Sequence, residues 1–338
     1  MNILVVRTDK LGDFITALPA IYVLKKHNPH NRIIACVAPL NKELALACGF
    51  IDEVIVDDEK SGVWELTKKL KKANADVSIT LFSNTRVAFA QFAAGISKRI
   101  APATKIAQIF YTHRVRQRRS EVAMAEFEYN LELTKTLFPD IDLGYTKPLV
   151  VFGDAKDVYM EFCKEYKVTK EVVAFHVGFG GSSDANWNLD EYGILIREVL
   201  KQGRYQLVLT FGPDEVSLCK EMQEKLKGED ILFYISKSGI VHFAKLISSF
   251  KLFVSTSTGT YHLASLVGCA TMTFFADTLF ASSKRWKGVG DENLQQHFMI
   301  PQLPHRGDKS FLSAKNQRDA VFADVLKKLS QIKALKEE

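Results

Sequence analysis

The sequence has few cysteines, no long apolar run and no secretion signal. Its five cysteines are scattered over 338 residues without a C-x-x-C pair, which disfavours a zinc site or a disulfide framework and suits a reducing compartment. The longest apolar run, near residues 87–96, is shorter than the about 20 residues that a membrane-spanning helix needs. The first residues lack a basic segment and a cleavage site, so we expect a cytoplasmic protein without a signal peptide.

Several common catalytic motifs are also missing. The sequence has no G-K-[ST] phosphate loop, no H-E-x-x-H pair and no G-x-S-x-G turn, and its eight histidines show no metal-ligand spacing. The glycine-rich turn at residues 178–183 reads G-F-G-G-S-S, which differs from the G-x-G-x-x-G pattern of dinucleotide-binding proteins. We therefore expect neither a metal ion nor a bound cofactor.

What the sequence contains is the composition of an ordinary globular protein. Apolar residues make up 47% and charged residues 25% of a chain that is long enough for two domains. The net charge of +6 is mildly basic and is compatible with anionic small molecules or a membrane surface. No RNA- or DNA-binding motif accompanies this charge, so we expect no nucleic acid as a partner.

Apolar strand segments and amphipathic helix segments alternate along most of the chain. This rhythm predicts an α/β protein with parallel sheets covered by helices. Each half opens with an apolar strand and a glycine-bearing turn, at residues 3–12 and 172–183. We therefore predict two doubly wound domains that face a central cleft: an acceptor domain at 1–165 and a donor domain at 166–315, with a final helix at 316–338.

Four hydroxyl residues and a glycine lie between a predicted strand and a predicted helix, at residues 255–260. The unpaired N–H groups and the dipole at a helix N-terminus favour a phosphate there. Gly259 lets a ligand approach the backbone closely, and His262 follows about one turn into the helix. The alternative is an ordinary Ser/Thr helix cap. His176, at the end of a buried strand before the glycine turn, is by default a satisfied core histidine.

Asp13 follows the first predicted strand, which is residues 3–6. It is either the N-cap of the next helix or a carboxylate at the carboxyl end of a parallel strand, where open α/β sheets bind their ligands. In the second case, a phosphorylated donor would bind the second domain and Asp13 would accept a proton from an acceptor hydroxyl. Helix N-termini would then stabilise the departing diphosphate.

Residues 98–119 interrupt the predicted alternation and are rich in Lys and Arg. A solvated basic loop is the default interpretation. The alternative is a binding site for a polyanionic acceptor or for the inner leaflet of a membrane. Under that alternative, the predicted acceptor-binding residues are Lys10, Arg99, Arg114 and Arg116.

Two stretches resemble glycosyltransferase family nine, the ADP-heptose:lipopolysaccharide heptosyltransferases. The first is I-L-V-V-R-T-D-K-L-G-D-F at residues 3–14 with A-L-P-A at 17–20, which resembles the opening strand and G-D turn of the family. The second is S-G-I at 238–240 with S-T-G-T-Y-H-L-A at 257–264, which resembles the donor-site block. The resemblance extends over nearly the whole chain.

The resemblance implies a GT-B fold in which the final helix, at residues 316–338, packs back on the first domain. It also implies metal-independent, inverting transfer of heptose from ADP-heptose to an inner-core sugar of lipopolysaccharide. The acceptor would be an anionic glycolipid of the lipid A/Kdo type, reached by peripheral contact with the inner membrane. The general base of the family falls on Asp13. Its donor contacts fall on the two turns, at His176, Gly178, Gly180, Gly181, Ser182, Ser257, Thr258, Gly259, Thr260 and His262.

The sequence departs from the family pattern at two places. Ser257 stands where many members have aspartate, and Asn186 precedes Trp187 where many members have a lysine or arginine. These differences motivate two alternatives: a transferase of the same fold with a UDP- or GDP-sugar donor or another acceptor, and a nucleotide-binding protein that has lost turnover.

Overall fold

The computed structural model describes residues 1–178 and 186–332. The chain forms two compact units, Met1–Thr146 and Lys147–Glu338. The strands of the first unit are β1 (Asn2–Arg7), β2 (Arg32–Val37), β3 (Glu53–Val56), β4 (Val77–Thr80), β5 (Lys98–Pro102) and β6 (His113–Val115). Its helices are α1 (Leu11–His27), α2 (Lys42–Ala47), α3 (Val63–Ala73), α4 (Thr85–Ala93) and α5 (Glu126–Thr134).

The second unit repeats this alternation of strands and helices. Its strands are β7 (Glu171–His176), β8 (Tyr205–Phe211), β9 (Ile231–Ile235), β10 (Leu252–Thr256), β11 (Thr271–Ala276) and β12 (Gln295–Ile300). Its helices are α6 (Ala155–Tyr166), α7 (Leu189–Leu200), α8 (Val216–Lys225), α9 (Ile240–Ile247), α10 (Gly259–Leu266), α11 (Ser283–Trp286) and α12 (Phe311–Leu329).

Each unit is built on a six-stranded parallel sheet, and the two sheets have the same strand order. The first runs β3-β2-β1-β4-β5-β6, and the second runs β12-β11-β10-β7-β8-β9. In both, the order of the strands reverses between two central neighbours, β1 and β4 or β7 and β10. At such a switch point the loops after the two strands diverge and leave a crevice where α/β proteins bind ligands.

The central strands β1 and β10 each contain an apolar run because helices cover both faces of each sheet. Ile3, Leu4, Val5 and Val6 of β1 are at most 1% exposed, and Leu252, Phe253 and Val254 of β10 are fully buried. These rigid strands position the polar residues that follow them. The predicted α/β class and the positions of most elements are thereby confirmed.

The structure corrects the sequence prediction in three segments. Residues 98–119 do not interrupt the sheet, since they supply β5 and β6 and a short 3-10 helix at Ile106–Phe110. Strand β12 was not predicted, and it pairs with β11 from Thr271↔Gln295 to Ala276↔Ile300. The apolar run at residues 149–152 predicts a strand, but these residues form none. The N–H groups of Leu149 and Val150 instead donate to the Leu266 carbonyl at 3.2 and 3.4 Å.

The division between the units lies earlier than the predicted boundary at residues 165 and 166. Helix α6 belongs to the second unit because it packs on α9, with the Phe162 ring 5.5 Å from Tyr234 and 6.2 Å from Phe250. Helix α12 buries Val325 and Leu329 against the core of the second unit. The predicted packing of residues 316–338 on the first domain stays a prediction. Within the described residues, none of the helices is both long and apolar enough to cross a membrane.

Candidate functional site

Polar side chains gather at the carboxyl edge of each sheet, at the switch point. In the first unit they follow β1, and in the second they follow β7 and β10. Val6 of β1 lies beside Thr80 of β4, and Ser255 of β10 lies beside His176 of β7. Each unit therefore carries its own group of candidate site residues, which we call its half-site, and the two groups are described in turn.

The half-site of the first unit is organised around the buried Arg7. This last residue of β1 is 2% exposed, and its guanidinium donates to Asp9 at 2.8 Å, to Asp13 at 2.6 Å and to Glu126 at 3.4 Å. One nitrogen also lies 3.5 Å from the carbonyl oxygen of Leu81, just beyond β4. A single cation thus holds three carboxylates from two helices and a loop at the switch point, an arrangement that we call the Arg7 cluster.

Burial and the neighbouring opposite charges shift the pKa values of this cluster in opposite directions. Burial alone would lower the pKa of Arg7, but the carboxylates of Asp9, Asp13 and Glu126 raise it above the ordinary value, so the guanidinium stays charged. Burial raises the pKa of Asp9 to about 6, with Arg7 opposing the rise and Asp13 adding to it. Asp9 therefore takes up a proton more readily than an exposed aspartate.

Asp13 lies inside the first turn of α1 and is not its N-cap, so the interpretation as a cap is wrong. The helix begins at Leu11, and the residue at the cap position, Lys10, makes no capping hydrogen bond. The Asp13 carboxylate is 21% exposed and accepts from Arg7 through Oδ1 only, among the contacts of the described residues. Its Oδ2 is left available to a ligand.

Helix α5 supports the Arg7 cluster from the opposite side. Glu126, which is 4% exposed, also accepts from Arg119 at 2.5 Å. Asn130 accepts from Arg119 at 3.2 Å and donates to the Thr16 carbonyl at 3.1 Å, which ties α5 to α1. The carboxylate Asp13 is thus held by two layers of hydrogen bonds.

The four predicted acceptor-binding residues lie on different segments of the first unit. Lys10 is exposed beside the Arg7 cluster, at the start of α1. The Arg99 guanidinium donates to the carbonyls of Phe110, at 2.6 Å, and Ile96, and Arg114 donates to the Tyr111 carbonyl at 3.3 Å. Arg116 is exposed. Arg99 and Arg114 therefore hold the loop between β5 and β6, and their role in acceptor binding stays a prediction.

The half-site of the second unit is the N-terminus of α10. Its cap residue, Thr258, makes no capping bond, and its hydroxyl lies 2.8 Å from the hydroxyl of Thr260. The N–H groups of Gly259, Thr260 and Tyr261 lie in the first turn, where the helix offers them no carbonyl. Ser255 Oγ and Thr256 Oγ1 are buried and have no hydrogen-bond partner among the described residues. These donors suit a phosphate better than an ordinary cap.

A buried polar network fixes α10 from behind. The Tyr261 hydroxyl donates to Gln295 at 2.8 Å, lies 3.0 Å from His297 Nε2, and accepts from the N–H of Gly288 at 2.6 Å. Burial and the neighbouring His297 lower the pKa of His262 to about 4, so its ring is neutral at pH 7. The predicted contact of His262 with a diphosphate would therefore be a hydrogen bond from a neutral ring.

At the end of β7, His176 lies near a further carboxylate at this edge of the sheet, that of Glu215 after β8. His176 is 6% exposed, its Nδ1 lies 2.9 Å from the Thr210 carbonyl, and its Nε2 lies 3.8 Å from Glu215. Burial lowers the pKa of His176 in spite of Glu215. A Cβ atom at Gly178 would overlap the Glu215 carboxylate, so a larger residue there would displace that carboxylate. The other predicted residues of this turn, Gly180, Gly181 and Ser182, lie outside the described residues.

A cation reaches Trp187 from the end of the chain rather than from the preceding residue. The Arg318 guanidinium lies 4.5 Å from the Trp187 ring centroid and donates to the Asn186 carbonyl at 3.0 Å and to Glu191 at 2.8 Å. Trp187 itself is 2% exposed. The position that Asn186 occupies thus lacks a cationic side chain of its own, but a guanidinium from α12 lies beside it.

Sequence reasoning missed the residues that hold the predicted ones. Arg7 directly follows an apolar strand and precedes two aspartates, a spacing that could have indicated a buried ion pair. Glu126, Glu215 and Arg318 reach the sites from distant segments, and no local pattern signals them. Among the described residues, no group of three or more His, Cys, Asp or Glu is placed to hold a metal ion.

Comparisons with known proteins agree with this architecture. The model of glycosyltransferase family 9 (heptosyltransferase) matches residues 63–311. A Haemophilus influenzae protein named "Putative glycosyltransferase" is 34% identical over 310 residues, which cover 89% of this chain and 89% of that protein. Lipooligosaccharide heptosyltransferase 2 of Campylobacter jejuni is 22% identical over 286 residues, or 82% of each chain.

Solved structures show the same fold. The glycosyl transferase family 9 protein of Veillonella parvula has a TM-score of 0.77 at 15% identity, over 97% of each chain. The ADP-heptose lps heptosyltransferase II of E. coli has a TM-score of 0.75 at 18% identity, over 99% of this chain and 100% of that one. The predicted GT-B fold is confirmed. With the family match over most of its length and a relative at 34% identity, the chain belongs to glycosyltransferase family 9 and is a glycosyltransferase.

Proposed function

We propose that this glycosyltransferase transfers a heptosyl group from ADP-heptose to an inner-core sugar of a lipopolysaccharide, with inversion and without a metal ion. The observation that carries the proposal is the Asp13 carboxylate, which Arg7 holds at 2.6 Å through one oxygen while the other oxygen is available. A base held in this way accepts a proton from an acceptor hydroxyl without reorganising first. The heptosyltransferases among the similar proteins support the choice of donor.

In the proposed reaction, the acceptor hydroxyl attacks the anomeric carbon as Asp13 takes its proton. The bond between that carbon and the phosphate oxygen breaks, and ADP leaves with the bonding electrons. The first-turn N–H groups of α10 and the hydroxyls of Thr258 and Thr260 stabilise the charge that develops on the diphosphate. Glu215, at the carboxyl edge of its sheet, accepts hydrogen bonds from the ribose hydroxyls. A single displacement inverts the anomeric configuration.

The substitution Asp13→Asn tests the base. We expect kcat to fall by about 10²–10⁴, because the amide keeps the shape of the carboxylate but cannot take the proton. Calorimetric titration should give an unchanged affinity for ADP, since Asp13 lies outside the donor half-site. Asp157→Asn, at an exposed position of α6, is the matched control and should retain full activity. Near-normal turnover of Asp13→Asn would remove Asp13 as the base.

A second candidate function keeps the fold and the base but uses a UDP- or GDP-sugar. Two observations favour it: Ser257 replaces the usual aspartate, and the only cation described beside Asn186, that of Arg318, is already bonded to Glu191. Titration with ADP, UDP and GDP in the presence of EDTA separates the two candidates. Selective binding of ADP supports the heptosyl donor, and selective binding of UDP or GDP supports the second candidate. A nucleotide that binds without any transfer would indicate lost turnover.

A further inference from the structure

The positive charge of the protein is concentrated in one stretch of the first unit. Residues 77–120 contain no Asp or Glu but eight Lys or Arg: Arg86, Lys98, Arg99, Lys105, Arg114, Arg116, Arg118 and Arg119. The rest of the chain carries 37 Lys or Arg against 39 Asp or Glu. The net charge of +6 therefore originates in this stretch, which forms β4, α4, β5, β6 and the turns between them.

Only part of this charge is neutralised within the protein. Arg86 pairs with Asp57 at 2.5 Å, and Arg119 pairs with Glu126. Arg99 and Arg114 instead donate to main-chain carbonyls, and Lys105 is exposed. None of these last three has a carboxylate partner among the residues that the structure describes. A cation bonded to a neutral carbonyl keeps its full charge, so this edge of the sheet has a positive potential.

Apolar side chains are exposed beside these cations. Ile106 is 70% exposed, Ile109 61% and Phe92 52%, and Trp64 on α3 is 62% exposed. Ring contacts join the aromatic members of this surface, since Phe110 lies 5.8 Å from Phe92 and 5.6 Å from Phe89, and Phe89 lies 5.7 Å from Trp64. Ile106 and Ile109 share the short 3-10 helix with Phe110. We call this surface the aromatic face. It consists of Trp64, Phe89, Phe92, Ile106, Ile109 and Phe110.

Cations lie directly against the rings of this region. The Arg99 guanidinium is 5.4 Å from the Phe92 centroid, and the Lys105 ammonium is 5.6 Å from the Phe82 centroid. Exposed aromatic and aliphatic side chains next to unneutralised Lys and Arg have the chemistry of a membrane interface. The rings enter the boundary between headgroups and acyl chains, and the cations meet anionic headgroups.

Lys105, which precedes Ile106 in the chain, and Phe82 link the aromatic face to the Arg7 cluster. Phe82 follows β4 and lies between two cations. Its ring centroid is 5.7 Å from the Arg7 guanidinium and 5.6 Å from the Lys105 ammonium. Arg7 in turn holds Asp13. All of these residues belong to the first unit. A lipid headgroup at Lys105 would therefore lie one aromatic ring away from the residues that hold the candidate base.

We propose that the aromatic face is the surface by which the first unit lies on an anionic lipid bilayer. Charge favours this occupant over a second copy of the chain, because two copies meeting through this face would bring their unneutralised cations together. On α3, the negative charge of Glu65, beside Trp64, is balanced by the positive charge of Lys68. The net charge around the aromatic face therefore stays positive. The bilayer presents the negative charge that the face lacks.

Vesicle flotation of the full-length protein tests the proposal. We expect the protein to float with vesicles that contain phosphatidylglycerol and to remain at the bottom of the gradient with pure phosphatidylcholine. Added salt should weaken the binding, because the attraction between the cations and the headgroups is screened. The assay contains neither donor nor acceptor, so its outcome is independent of the proposed heptosyl transfer.

Two variants locate the surface. Ile106→Ser combined with Ile109→Ser should lower the partition coefficient at least about tenfold, because two exposed side chains no longer enter the bilayer. Lys105→Glu should lower it by a similar factor, since it reverses the charge at one headgroup contact. The matched controls are Leu46→Ser, which is 62% exposed on α2, and Lys60→Glu, which is exposed on a different loop of the same unit. Both controls should float like the wild type.

Three outcomes would overturn the proposal. The wild type could float equally with neutral and anionic vesicles or with neither, which would show that no anionic bilayer is recognised. The aromatic-face variants could float like their controls, which would assign membrane binding to another surface. The wild type could also sediment as a dimer that Ile106→Ser with Ile109→Ser dissociates, without any vesicle binding, and the face would then join two copies of the chain.

Discussion

The two half-sites have the same position in the same topology but opposite electrostatic designs. In both units, the candidate site residues lie at or just after the ends of central strands, where the strand order reverses. The half-site of the first unit is ionic, with three carboxylates around the buried Arg7. In the described part of the second half-site, the donors are the first turn of α10, several hydroxyls and the neutral His262.

The difference follows from the charge of the group that each half-site is proposed to bind. A diphosphate brings its own negative charge, so backbone N–H groups at a helix N-terminus are sufficient to hold it. A carboxylate base carries its own negative charge, and in the first half-site Arg7 pairs with Asp13 at 2.6 Å. The topology therefore decides where a site forms, and a few side chains decide what chemistry it performs.

The largest expected effect comes from removing the cation of the first half-site. Arg7→Met should lower the free energy of unfolding by about 3–5 kcal/mol, because Asp9, Asp13 and Glu126 lose the buried partner that they share. Urea denaturation measures the change. Arg116→Met, at an exposed position, should change the stability by less than about 0.5 kcal/mol. Equal stability of the two variants would show that the Arg7 cluster is not held together by charge.

Lowering the pH should have a smaller effect on the free energy of unfolding. The contributions of His262 in the second half-site and Asp9 in the first should have opposite signs. The pKa of His262 is lowered to about 4 in the folded protein, against about 6.5 unfolded, so the unfolded chain binds the proton first. Its contribution to stability is full above about pH 6.5 and is lost as the pH falls towards about 4, by at most about 3 kcal/mol. His262→Gln should remove this part of the pH dependence of urea unfolding.

Asp9 should act in the opposite direction over the same range. Its pKa is raised to about 6 by burial, so the folded protein takes up the proton before the unfolded chain does. Its contribution to stability therefore increases as the pH falls from about 6 towards about 4. Asp9→Asn should steepen the loss of stability in acid, whereas His262→Gln should flatten it. A change in the same direction for both variants would contradict the comparison.

The smallest effect is expected at the cap of α10. Thr258→Ala should change the free energy of unfolding by less than the about 1 kcal/mol usual for a cap residue, because the Thr258 hydroxyl makes no capping bond. The affinity for ADP should nevertheless fall about threefold to tenfold, since one neutral donor to the diphosphate is lost. Thermal denaturation and calorimetric titration separate the two quantities. A loss of stability without a loss of affinity would make Thr258 an ordinary cap.

Local sequence patterns predicted most of the fold. The apolar runs of β1 and β10 and the helical spacing of α6 and α9 are recognisable within a few residues, because burial on both faces of a parallel sheet demands them. The predictions failed where the pattern was weak. The short strands β5 and β6 carry Lys98, Arg99, His113 and Arg114, and such polar strands at the edge of a sheet resemble a loop.

The sequence by itself determined the class of fold, the family and the two turns that carry the candidate site, since each depends on residues close together in the chain. Only the tertiary structure decided that Asp13 is held by Arg7 beside Glu126, 119 residues away from Arg7, that Glu215 lies under Gly178, and that Arg318 contacts Trp187. It also joined Trp64 of α3 to the rings of α4. Such contacts depend on how distant elements pack, and no pattern within a single segment records them.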